Sequence, residues 1–125
     1  MNYTKKVVML LLVVNFNYSW SQGNPSFHRD SGLNQLLIGA VAYTSVAGAC
    51  GLSEQYFNLK SMLVRLLERE RVLNSLTQQG LILYANLESY LEAGEQEYEG
   101  RPYVTCGNAS GYIDTLIELI SDLQD

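Results

Sequence analysis

A chain of 125 residues, 47% hydrophobic and 17% charged, has room for one domain and enough apolar content for a core, which excludes intrinsic disorder and a collagen-like repeat. A doubly wound cofactor-binding sheet, built from several units of roughly 30 residues each, is nearly excluded at this length. Thirteen acidic against eight basic residues give a formal charge of -5, so partners recognised through phosphate contacts, nucleic acid and anionic lipid alike, are disfavoured.

At the start, Lys5 and Lys6 precede the apolar run Val7 to Val14, and the small residues Ser19 and Ser21 flank Trp20. A positive start, a short apolar stretch and small residues before a cut are the pattern of an export signal, and the run is too short to span a bilayer. The expectation is a signal peptide over 1–21 and a single helical domain over 22–125, secreted or periplasmic. Loss of Lys5 and Lys6 would leave six basic residues and a formal charge of -7. No cysteine near the signal offers an acylation site, and no later run reaches about 18 apolar residues, so no stable membrane insertion is expected after cleavage. In an oxidising compartment Cys50 and Cys106 are expected to form one disulfide, since they make no CxxC pair and have no histidine beside them.

The mature segment opens on turn formers, QGNPSFHRDSG, which read as a loose arm. Helical spacing then predicts four helices, over about 33–49, 54–73, 76–93 and 111–123. The first has Asp30 or Ser31 as cap and a run of small residues, including Gly39, Ala40, Ala42 and Ser45, that lets another helix come close. Gly51 suits the left-handed position after it. The second is capped by Ser53 and carries the stripe Leu59, Met62, Leu63, Leu66, Leu67 and Leu73. Ser75 with Gln78 forms a capping box for the third, whose face of Leu76, Gly80, Leu83, Leu87 and Leu91 ends at Gly94. A loop from Gly94 to Gly107 leads to the fourth, capped by Asn108 or Ser110. The fold class is therefore all-α, a small four-helix bundle-like domain stapled by one disulfide.

Few residues offer chemistry. The single histidine, His28, falls in the arm expected to be loose, a poor mount for acid–base or nucleophilic work. Zinc-ligand spacing, Walker A, Rossmann and G-x-S-x-G patterns are all missing, so no catalytic residue, metal or cofactor is expected. Glu88, Glu92, Glu95 and Glu99 would share one face if the third helix ran past Gly94, but without EF-hand spacing they read as solvated surface. The interleaved run of Arg65, Glu68, Arg69, Glu70 and Arg71 reads the same way.

Seven tyrosines remain after the signal: Tyr43, Tyr56, Tyr84, Tyr90, Tyr98, Tyr103 and Tyr112. Tyrosine suits interfaces because it combines a large apolar ring with a hydroxyl. Tyr98 and Tyr103 flank an acidic run, so Glu95, Glu97, Tyr98, Glu99, Arg101 and Tyr103 form the candidate partner-binding edge. A one-disulfide helical body behind an export signal is similar in plan to periplasmic secretion and pilus-assembly accessories, such as secretin pilotins, and to toxin-immunity proteins, with which it shares no motif. The function expected is that of an exported, non-catalytic binding factor whose partner is another protein with a basic surface, with homodimerisation open. A carrier of a small apolar ligand is the alternative, and a small hydrolase comes last.

Overall fold

The computed structural model describes residues 25–99 and 106–124. The export signal read at 1–21, and Arg101 and Tyr103 of the proposed edge, lie outside the described residues. Among those described, the chain is all-helical: α1 (Ser31–Ala49), α2 (Ser53–Val72), α3 (Gln78–Ala85), α4 (Leu87–Glu99) and α5 (Cys106–Gln124). No helix among the described residues is long and apolar enough to cross a membrane.

α1 is the centre. It packs on α2, α4 and α5, and every residue from Leu36 to Ala47 is buried. No charged residue stands in it, and a helix apolar all round needs neighbours on every side. Asp30 caps it as expected, its Oδ1 accepting the Leu33 N–H at 3.0 Å. The small residues admit α4, close enough for the Ser45 hydroxyl to reach the Leu91 carbonyl at 3.3 Å as well as its own-helix acceptor Val41 at 3.0 Å. Gly51 follows in the left-handed region, φ +70°. Cys50 and Cys106 are brought to disulfide distance, with Cα atoms 5.6 Å apart, tying the end of α1 to the start of α5.

Several boundaries differ from the expectation. α2 begins at Ser53 itself, behind Leu52, which makes no side-chain cap bond. The third predicted helix divides at Asn86, whose side-chain amide donates to the Ile82 carbonyl at 3.0 Å and so closes α3. α3 is capped by Thr77, whose hydroxyl accepts the Gly80 N–H at 3.0 Å, and not by Ser75. Ser75 and Leu76 instead serve the N-terminal segment. Gly94 does not stop α4. It lies buried on the stripe Leu87, Leu91, Gly94 and Tyr98, where the helix keeps a residue that disfavours it by about 1 kcal/mol because this face meets α1. α5 starts at Cys106, so Asn108 and Ser110 lie inside the helix and not at its cap.

The largest departure concerns the arm. Phe27 and His28 are buried, and His28 forms an antiparallel bridge with Leu76. The Arg29 N–H donates to the Ser75 carbonyl at 3.2 Å, and the Thr77 N–H to the Phe27 carbonyl at 3.0 Å. Phe27 stands edge-on to Tyr90, ring centroids 6.4 Å apart. At Gly80 a Cβ would collide with the Phe27 carbonyl, so the glycine is what lets the segment lie across α3. Turn-forming composition here marks irregular backbone and not freedom of movement.

Candidate functional site

Three places could carry function: the polar cluster under the N-terminal segment, the outer row of α2, and a groove at the α1–α2 turn.

The cluster centres on His28. Its Nε2 lies 2.6 Å from Glu70 Oε1, and its Nδ1 accepts the Asp30 N–H at 2.9 Å. A nitrogen that accepts carries no proton, so the hydrogen bonds assign the neutral Nε2–H tautomer, donating to the carboxylate. Glu70 Oε2 accepts from Arg69 Nε at 3.0 Å, and Arg69 Nη1 donates to the Leu123 carbonyl at 2.8 Å near the end of α5. His28 and Glu70 retain only 5% and 4% of their surface. With both ring nitrogens engaged and the ring covered, the imidazole has no free lone pair to offer a substrate. The cluster is a fastening between the N-terminal segment, α2 and α5. The sequence signal for it was available, since Glu70 falls on the same helical face as Leu59, Leu63 and Leu66, where a charge needs a buried partner.

On α2 the inward stripe is buried as expected from Leu59 to Leu67, but Leu73 is not: it is 61% exposed, because the chain leaves the helix at Val72. A second, outward row carries Phe57, Val64 and Val72, 65%, 41% and 69% exposed and spaced seven and eight residues apart, on one side of a helix. Val64, Val72 and Leu73 line an open groove of about 440 Å³ whose polar rim includes Arg65, Glu68 and Arg69. Val64 also borders a second groove of about 300 Å³, shared with Tyr84 and Leu87. Arg71 contacts Glu68 and Tyr84, one from the lining of each groove. It pairs with Glu68 at 2.7 Å, lies over the Tyr84 ring at 5.4 Å, and the Tyr84 hydroxyl donates to Glu68. The Arg71 contact holds the Glu68 carboxyl below its ordinary range, with the Tyr84 bond adding to it.

The third place uses part of the predicted edge. Because α4 continues to Glu99, the region read as a loop is helical as far as that residue, and Glu88, Glu92, Glu95 and Glu99 share a face. Tyr98 is 3% exposed and belongs to the core, so its ring is not a contact residue for a partner. Glu97 is half-buried and Glu99 exposed. Glu95 is half-buried beside Gly48, Tyr56 and Phe57 in a groove of about 220 Å³. Nearby, Lys60 is paired with Glu88 and stands over the Tyr56 ring at 5.7 Å. Burial pushes the Tyr56 phenol upward, with Lys60 opposing and Glu88 and Glu95 adding to it. Among the described residues no three His, Cys, Asp or Glu side chains gather where a metal could be held. No protein-family model matches this chain, and neither a curated protein nor a solved structure matches it significantly, so the reading of these surfaces rests on their own residues.

Proposed function

We propose that the protein is an exported, non-catalytic binding factor that docks another protein along the outer face of α2. The observation that carries this reading is the row Phe57, Val64 and Val72, continued by Leu73, with a groove running beside it. Large apolar side chains gathered around a groove and rimmed by charges are typical of surfaces that meet a partner. The spacing suits an amphipathic helix laid along α2, engaging alternate turns. The formal charge of -5 and the acidic residues exposed on α4 favour a partner with basic residues, whose approach would be steered and salt-sensitive. The leucine faces that suggested an apolar-ligand carrier are occupied, since Leu83, Leu87 and Leu91 are packed into the core.

The test is capture from the native envelope fraction at low and high salt, with wild type and Val72→Asp in parallel. Val72 is exposed, so the variant keeps its fold, which circular dichroism checks. A protein retained by wild type, lost on Val72→Asp and weakened by salt supports the reading. No enrichment at either salt, or the same proteins on both baits, overturns it.

A further inference from the structure

We infer that the groove at the α1–α2 turn is a cation-binding subsite, taking an arginine or lysine side chain of a protein partner. Glu95 supplies the counter-charge, and Tyr56 and Phe57 supply the wall. The inference builds on the binding-factor reading for the identity of the partner, but the site stands on its own geometry.

Glu95 is half-buried, yet no hydrogen bond or ion pair joins it to another described residue. Nearby, Lys60 pairs with Glu88 and turns toward the Tyr56 ring. Among the residues lining the groove, Glu95 alone carries a charge. Gly48 explains why that carboxyl sits where it does. A Cβ at Gly48 would meet the Glu95 carboxyl carbon at 2.5 Å and Oε1 at 2.6 Å, so the bare α1 backbone is what admits the side chain into the groove. Across from it, Tyr56 and Phe57 stand edge to face with ring centroids 5.4 Å apart, and Phe57 leaves 65% of its surface in solvent.

A carboxylate partly withdrawn from water and lacking a partner is stabilised by any cation that reaches it. Aromatic faces beside it add attraction for guanidinium or ammonium and cover the aliphatic stem. A neutral apolar group would gain the rings and leave the carboxylate unpaired. A second carboxylate would be repelled.

The experiment is an NMR titration of the intact, oxidised protein with N-acetyl-arginine amide, and with N-acetyl-norleucine amide as its neutral counterpart. A single subsite of this kind binds weakly, with a dissociation constant on the order of 1 mM. The expected result is saturable shifts of the Gly48, Gly51, Tyr56, Phe57 and Glu95 amides with the arginine compound alone. Glu95→Gln should weaken them about tenfold, Phe57→Ala severalfold, and Glu92→Gln, on the same acidic face but outside the groove, should leave them unchanged. No saturating shift, equal response to norleucine amide, or equal loss with Glu92→Gln and Glu95→Gln overturns the inference. A positive titration with a failed envelope capture would leave the site standing and remove the docking function. The reverse would remove only the subsite.

Discussion

His28 and Glu70, 42 positions apart in the chain, meet side chain to side chain at 2.6 Å in a region nearly closed to water. Removing one member of such a pair leaves the other buried with an unmet bond, which makes the loss larger than that of a surface contact. His28→Ala is expected to destabilise the fold by about 2–4 kcal/mol in urea unfolding. A change below about 0.5 kcal/mol, the level of an ordinary surface substitution, would show that the segment is not fastened there.

Gly80→Ala places a methyl group against the Phe27 carbonyl. The backbone must move, at a cost of about 1–3 kcal/mol. Hydrogen exchange should locate the effect: the Thr77 amide, which donates to that carbonyl, should lose protection while the amides of α1 keep theirs. Unchanged protection at Thr77 would count against the close approach.

The cysteine pair closes a loop between positions 56 apart in sequence. The chain-entropy account assigns such a closure roughly 4 kcal/mol. The double variant Cys50→Ser, Cys106→Ser should therefore unfold at distinctly lower urea concentration, and mass analysis of natural material should show the oxidised pair. Free thiols in that material would contradict both the pairing and the expected oxidising compartment.

Burial pushes the Tyr43 phenol well above its ordinary range, with Tyr112 adding to the effect. The unfolded chain loses this proton near pH 10 while the folded state holds it, so the contribution is complete below about pH 10 and falls as pH rises beyond it. Urea unfolding on either side of pH 10 should show declining stability, and Tyr43→Phe should flatten much of that decline. Part of the slope should remain, since Tyr56 and Tyr84 are also held upward, Tyr56 chiefly by burial and Tyr84 chiefly by its bond to Glu68.

Local patterns made the helices legible. The leucine stripe of α2, the cap at Asp30 and the turn at Gly51 follow from spacing or residue type within reach of one element, while the pairing of Cys50 with Cys106 follows from the chain having two cysteines and an export signal pattern. What escaped was settled at a distance. Glu70 on the buried face of α2 signals that a partner is needed but not which one, nothing near His28 names it, and a run of turn formers looks the same whether it is free or strapped down. Gly94 reads as a stop until α1 is known to press on that face, and tertiary packing then overrides propensity. The candidate edge suffered the same way: Glu95 stays half-buried, but Tyr98, three positions on, turned inward with the continuing helix.

The placement of α1 has a mechanical consequence. The segment leading into it is anchored through His28, and its exit is anchored through Cys50, so the central rod cannot slide or peel from either end without breaking one of two strong attachments. Excursions toward the unfolded state should accordingly begin in short α3, which among the helices packs only on α2 and α4, and the rod should be the last part to let go.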